Sequence, residues 1–89
     1  MNMDKVSTLI GIERGIKLLF KPRNFFVVDS GMSLDQEGEE LWRDITLENK
    51  NDENEFYSFS FSTQGNLICH DDNTPSDFKL DLKCFLKDC

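Results

Sequence analysis

The chain has 89 residues, 38% of them hydrophobic and 30% charged, and a formal net charge of −7 at pH 7. A chain of this length forms one domain, residues 1–89, around a single thin core, and its hydrophobic content excludes an intrinsically disordered protein. Three charged residues interrupt the most apolar N-terminal stretch, residues 6–20, which excludes a membrane span and a signal peptide. The sequence therefore predicts a cytoplasmic protein without a membrane partner.

The first predicted element is a helix over residues 4–20. Its apolar residues recur at spacings of three and four, which places them on one face. Lys21-Pro22 ends this helix, because the residue before a proline disfavours the helical conformation. Ser7, Gly11 and Gly15 form a strip of small residues that suits close approach of a sheet or a partner. The apolar face consists of Val6, Leu9, Ile12, Ile16 and Leu19.

A short apolar strand is predicted next, at residues 25–28. The Ser30-Gly31 pair is typical of a turn, so we expect the strand to end there. Residues 35–40 are rich in acidic side chains and predict an exposed loop.

Three further strands follow. Residues 41–48 and 56–62 alternate apolar and polar side chains, as half-buried strands do. A polar, acidic hairpin loop at residues 49–55 is expected to join them. A turn at residues 64–66 then leads into a partner strand at residues 67–70.

The C-terminal segment fits two structures. Its apolar residues alternate over residues 78–86, and we expect a strand on this ground. A capping sequence at residues 74–77 and the lack of β-branched residues favour a helix instead. The apolar face of that helix would hold Phe78, Leu82, Phe85, Leu86 and Cys89. Both alternatives give an α+β fold, in which an N-terminal helix packs on an antiparallel sheet of four or five strands.

Negative charge is concentrated in the middle of the chain. Residues 29–77 carry thirteen acidic and two basic residues, a net charge of −11, whereas residues 1–28 have a net charge of +3. Such a surface attracts basic proteins and repels nucleic-acid phosphates, so we expect a basic protein as partner and no direct nucleic-acid contact. Acidity that serves solubility alone is the alternative. The basic residues that favour nucleic acid are Arg14, Lys17, Lys21 and Arg23.

No metal site, catalytic residue or cofactor is predicted. The cysteines, at positions 69, 84 and 89, include no Cys-x-x-Cys pair. Cys69 and His70 are adjacent, so in a strand their side chains point to opposite faces. We expect reduced thiols, two that pack as small apolar side chains and one near a loose C-terminus. His70 and the two aspartates after it lack an accompanying nucleophile, although a small metal-dependent enzyme that uses His70 is the enzymatic alternative.

The strand at residues 41–48 and its acidic flanks form the candidate binding site. If its apolar side chains face the helix, Trp42 projects outward on the same face as Ser58, Ser60 and Ser62. An exposed tryptophan among carboxylates is typical of a binding hot spot. The alternative is the reversed register, with Trp42 in the core. The candidate partner-binding residues are Glu37, Glu39, Glu40, Trp42, Asp44, Glu48, Asp52, Glu53 and Glu55.

An N-terminal helix followed by acidic antiparallel strands resembles small bacterial toxin-immunity proteins, of the bacteriocin and contact-dependent growth inhibition types. The acids that carry the resemblance are Glu37, Glu39, Glu40, Asp44, Glu48, Asp52, Glu53 and Glu55. The resemblance implies a cytoplasmic, non-enzymatic inhibitor. Such a protein neutralises a basic nuclease toxin domain by covering its active site or an adjoining surface.

Two other binding functions fit the same sequence. A phage-encoded inhibitor that mimics nucleic acid would use the same acidic surface against a host defence complex. A subunit of a larger assembly would associate through the strip of Ser7, Gly11 and Gly15. For the chain by itself we expect a monomer or a weak dimer.

Overall fold

The computed structural model describes residues 3–34, 38 and 40–88. Two helices, α1 (Met3–Phe20) and α2 (Ser76–Asp88), pack on one face of a four-stranded antiparallel sheet. This arrangement is the predicted α+β fold with an N-terminal helix on the sheet.

The first helix forms where its apolar period predicts it, and begins one residue earlier than expected. Its apolar face packs on the sheet, where Leu9, Ile16 and Phe20 are fully buried. A single 3-10 turn, Lys21–Arg23, follows the helix because the proline within it cannot continue the helical hydrogen bonds. Asn24 ends this turn in the left-handed conformation, with φ of 64°, and directs the chain into the sheet.

The strands are neighbours in space in the order in which they occur in the sequence. They are β1 (Phe25–Leu34), β2 (Leu41–Asn49), β3 (Asp52–Ser62) and β4 (Leu67–Cys69). Every neighbouring pair is antiparallel. Alternate side chains of the two central strands are buried under the helices: Leu41, Ile45, Leu47, Tyr57, Phe59 and Phe61.

The prediction of a turn at Ser30-Gly31 is wrong. Both residues lie inside β1, opposite Ile45 and Asp44 of β2. A ladder partner for each residue outweighs the local turn preference of a Ser-Gly pair, and Gly31 does not have a positive φ. The register shifts between Val27 and Asp29, so the residue between them is an extra one, a β-bulge.

The hairpin loop predicted at residues 49–55 is also too long. Asn49 pairs with Asp52, so two residues connect the strands. The Asn49 side chain closes this turn: its Oδ1 accepts the Asn51 N–H at 2.9 Å and its Nδ2 donates to Glu55 Oε1 at 2.6 Å. The polar residues after the turn therefore extend β3 past the core, where no apolar alternation marks them as a strand.

The strand expected at residues 78–86 is wrong, since this segment lies in α2. Phe78, Leu82 and Leu86 are buried at a spacing of four, whereas Leu80, which completes the alternation, is 62% exposed. Before the helix, Thr74 closes a turn in which its hydroxyl donates to the carbonyl of Asp71 at 2.8 Å. The lack of β-branched residues therefore indicated the structure better than alternation did.

The two helices approach each other closely at Gly15. A Cβ atom on this glycine would lie 2.2 Å from Cζ of Phe85, so the missing side chain makes room for the aromatic ring of α2. A Cβ on Gly11 would meet no atom within 4 Å. The strip of small residues on α1 is thus used in part within the chain.

Arg23, in the turn after α1, contacts the first part of α2. Its guanidinium lies 5.3 Å from the ring centroids of both Phe20 and Phe78. It also donates to the carboxylate of Asp81 and lies 3.8 Å from that of Asp77. One cation therefore joins three segments of the chain.

Candidate functional site

The sheet face opposite the helices is the candidate site, and we call it the open face. No helix of the described residues covers it. The two central strands present on it the alternate residues that the core does not use. These are Trp42, Asp44, Thr46 and Glu48 of β2, and Phe56, Ser58, Ser60 and Ser62 of β3.

A chain of hydrogen bonds crosses the centre of the open face. Ser60 Oγ lies 2.5 Å from Asp44 Oδ1 and 2.7 Å from His70 Nε2. Ser33 of β1 donates to the other oxygen of Asp44 at 3.2 Å. Asp44 is thereby held in one orientation by two hydroxyl groups from neighbouring strands.

Ser60 is not arranged as an activated nucleophile. A carboxylate can only accept, so the Ser60 hydroxyl donates to Asp44 and accepts from the Nε2–H of His70. A catalytic serine needs the opposite direction, with the imidazole nitrogen accepting its proton. Ser60 is also only 4% exposed. The geometry of these three residues favours positioning of the Asp44 and His70 side chains over proton abstraction.

A second pair of hydroxyl groups lies beside this chain. Thr46 Oγ1 and Ser58 Oγ are 2.9 Å apart, and the Ser58 backbone N–H donates to Asp71 Oδ2 at 2.6 Å. Between these groups and β1 the surface forms a hollow of about 410 Å³. Its polar lining comes from Asp29, Ser30, Asp44, Thr46, Ser58 and His70.

Aromatic side chains lie toward both ends of the open face. At one end Trp42 is half-buried, opposite Ser62 of β3. At the other end Glu48 lies between Phe26, which is 43% exposed, and Phe56, which is 49% exposed. The structure therefore gives Trp42 the outward register, and it adds two aromatic residues that the sequence did not single out.

Glu55 lies apart from the other candidate acids. Its side chain accepts from the Tyr57 hydroxyl at 2.7 Å, next to the core. Hydrogen bonds from Asn49 and Tyr57 hold the pKa of Glu55 below its ordinary value. The same carboxylate raises the pKa of Tyr57 to about 12, because it stabilises the protonated phenol.

The remaining candidate acids have different surroundings. Glu40 accepts from the Asn66 side chain at 2.9 Å, across the sheet end that carries Trp42. Asp52 and Glu53 are exposed at the protruding start of β3. The predicted binding residues Glu37 and Glu39, and also Cys89, lie outside the described residues. The structure thus brings together Trp42, Asp44 and Glu48, but not Glu55.

Sequence reasoning missed the contribution of β1 to the open face. Asp29 and Ser33 were not recognised because a turn was expected between them. The signal that could have found them is the alternation of Ser30, Met32 and Leu34 with residues 29, 31 and 33. Phe26 was assigned to an apolar strand without a face, since four apolar residues in a row have no alternation.

A charged pair lies on the helix side of the sheet. Arg43 Nε donates to Glu13 Oε1 at 2.7 Å, and Lys17 Nζ lies 3.4 Å from the other oxygen of Glu13. Burial raises the pKa of Glu13, but Arg43 and Lys17 outweigh burial and hold it below the ordinary value. This pair explains how a charged residue of β2 is accommodated beneath α1.

Other classes of site find no support in the described side chains. No three His, Cys, Asp or Glu residues among them come together as a metal site requires. Cys69 is half-buried and Cys84 is exposed, both as free thiols. Neither α1 nor α2 combines the length and the apolar character that crossing a membrane requires. Comparisons with protein-family models, curated proteins and solved structures find no match to this chain.

Proposed function

We propose that this chain is a non-enzymatic inhibitory protein that binds a basic protein on its open face. The observation that carries the proposal is an uncovered sheet face on which the oriented Asp44 and Glu48 lie between the half-buried Trp42 and two exposed phenylalanines, Phe26 and Phe56. Large aromatic side chains supply most of the binding energy in many interfaces, and surrounding charges select the partner.

The carboxylates of the open face are suited to a cationic partner. Asp44 already has a fixed orientation, because Ser60 and Ser33 donate to it, so binding would cost little additional ordering of this side chain. Glu48 lies between two exposed rings, where an incoming cation would contact both its carboxylate and the aromatic faces. The net charge of −11 over residues 29–77 would accelerate the encounter with a basic surface.

Within this class, an immunity protein against a nuclease toxin fits best. A nuclease presents a cationic surface to the phosphates of its substrate, so an acidic face that covers this surface would block the substrate. The outline that resembles toxin-immunity proteins, a helix followed by acidic antiparallel strands, supports the same function.

The test is a binding measurement with a matched charge control. The chain captures a basic protein from a lysate of its source organism at low salt, and that protein is then produced in pure form. Asp44→Asn with Glu48→Gln should weaken its binding by about tenfold or more. Asparagine keeps an acceptor for Ser60, so the fold should persist. Leu80→Lys with Cys84→Lys changes the net charge equally, but on exposed positions of α2, and should leave the affinity unchanged.

Two outcomes would contradict the proposal. Equal weakening by both pairs of substitutions would indicate general charge attraction in place of an interface on the open face. A captured protein that is acidic, or that binds independently of salt, would exclude the electrostatic mechanism. The toxin assignment has its own readout, because the pure partner should cleave nucleic acid and lose that activity with one equivalent of the chain.

A further inference from the structure

A second site lies at the junction of α1, β1 and the turn between β2 and β3. There a pocket of about 680 Å³ is lined by Lys17, Lys21 and Lys50 among other residues. Small-molecule sites commonly enclose about 300–1,000 Å³. We infer that this pocket binds a small organic phosphate that carries a flat ring, which is the chemistry of a nucleotide.

The charge of the pocket is the first argument. Lys17 forms an ion pair with Glu13, in which Lys17 Nζ lies 3.4 Å from Glu13 Oε2. Among the described residues, no carboxylate lies within ion-pair distance of Lys21 or Lys50. No acidic residue lines the pocket either. Two lysines without an acidic partner that line one concavity, in a chain of net charge −7, favour an anion of more than one charge.

The backbone around the pocket holds the segments that carry Lys21 and Lys50 next to each other. Asn24, in its left-handed conformation, accepts the N–H of Lys50 at 2.6 Å through its own carbonyl oxygen. This bond ties the turn between β2 and β3 to the end of the 3-10 turn that contains Lys21. Asn24 also lines the pocket. The positive groups therefore project from two connected segments.

The apolar part of the lining selects the ring. Phe25, which packs edge to face on Phe78 at 5.1 Å, and the half-buried Val27 form an apolar wall of the pocket. The side chain of Phe26 points to the open face, so the aromatic contact in the pocket is with Phe25. Nucleobases pack on aromatic side chains, with about 1–3 kcal/mol per base. A bare phosphate would leave this apolar surface in water, so a ligand with a ring and a phosphate uses the pocket better.

The test is calorimetric titration of the full chain with adenosine diphosphate, inorganic pyrophosphate and adenosine at low ionic strength. The diphosphate should bind about tenfold or more tightly than either fragment, since only it contacts both the lysines and the aromatic lining. Lys21→Ser with Lys50→Ser should weaken its binding by about tenfold or more. Lys83→Ser with Lys87→Ser removes the same charge from exposed positions of α2 outside the pocket, and should leave binding unchanged.

Three results would overturn the inference. No measurable heat with adenosine diphosphate would exclude the site, and equal affinity for pyrophosphate would exclude recognition of the ring. If Lys83→Ser with Lys87→Ser weakened binding of adenosine diphosphate equally, the affinity would depend on overall charge and not on this pocket. Lys21 and Lys50 are both exposed, so loss of the fold is not expected; Lys50→Ser alone gives a second measurement. These lysine substitutions leave Asp44 and Glu48 unchanged, so the result is independent of the function proposed for the open face.

Discussion

The covered face and the open face of the sheet use alternate residues of the same strands, yet different interactions hold them. In β3, Phe59 is 1% exposed beneath the helices, and the next residue, Ser60, is bonded to Asp44 and His70 on the other side. Burial of apolar surface stabilises the folded chain by about 25 cal/mol for each Å² removed from water. A hydrogen bond adds only about 1 kcal/mol net to the stability, because water forms the same bond in the unfolded chain. Stability should therefore reside on the covered face, and the open face is free to serve binding.

The sharpest test of this comparison is to replace two phenylalanines of β3, one on each face, by alanine. Phe59→Ala should lower the free energy of unfolding by about 3–5 kcal/mol, because it leaves a cavity under the helices. Phe56→Ala, at a position 49% exposed on the open face, should lower it by about 1 kcal/mol or less. Urea unfolding followed by circular dichroism measures both. Similar losses at the two positions would contradict the division between the faces.

The next effect concerns the charged pair on the covered face. Glu13→Gln should cost about 2 kcal/mol at pH 7, because Arg43 then lacks its carboxylate partner. The folded pKa of Glu13 lies below its ordinary value of 4.5, so its contribution is complete above pH 4.5 and is lost as the pH falls through the folded pKa. The difference between the two proteins should therefore narrow in acid.

Urea unfolding at a series of pH values below neutrality measures that difference. Lys17→Ala is the control, since this exposed partner should contribute about 0.5 kcal/mol or less. A difference between wild type and Glu13→Gln that stays constant with pH would argue against the ion pair.

A smaller effect is expected from the hydrogen bonds of the open face. Ser60→Ala should cost about 1.5 kcal/mol, because it leaves Asp44 and His70 without their shared hydroxyl. Ser33→Ala, at an exposed position with a longer bond to Asp44, should cost about 0.5 kcal/mol or less. Thermal unfolding of both variants supplies the measurement. A loss at Ser60 as large as that at Phe59 would mean that the open face stabilises the fold as much as the core does.

The smallest expected effects, of about 1 kcal/mol each, have opposite signs and come from α1. Gly11→Ala should stabilise the protein, because alanine favours a helix and its Cβ meets open space. Gly15→Ala should destabilise it, because the new Cβ displaces the ring of Phe85. In a Phe85→Ala background Gly15→Ala should become stabilising. Stabilisation by Gly15→Ala in the unaltered chain would show that the contact between the helices is loose.

Regular periodicity made most of the fold predictable. The apolar stripe of α1 and the alternation of β2 and β3 indicated these elements, but the sequence left open which face of β2 is buried. The errors arose where two local signals competed. Ser30-Gly31 favours a turn, but pairing with β2 holds both residues in a strand. Residues 78–86 alternate by coincidence, and the burial of Phe78, Leu82 and Leu86 under the sheet decides for a helix.

The candidate site was predictable only in part, because a face depends on which strands are neighbours. The alternation of β2 was enough to place Trp42, Asp44 and Glu48 together. The bonds that join Asp44 to Ser60 and His70 depend on the pairing of β2 with β3 and of β3 with β4, which one sequence does not reveal. The lysine pocket combines residues from three separate segments of the chain. The sequence showed the basic residues near the end of α1, but it did not show that Lys50 lies beside them.

The extra residue in β1 has a consequence for self-association. Among the described residues β1 has a neighbour on one side only, and a ten-residue free edge is a template on which another chain can add a strand. The bulge at Val28 interrupts that template, so its longest regular part is residues 29–34. An incoming strand therefore gains fewer backbone hydrogen bonds than the length of β1 suggests, and edge-to-edge polymerisation is correspondingly disfavoured.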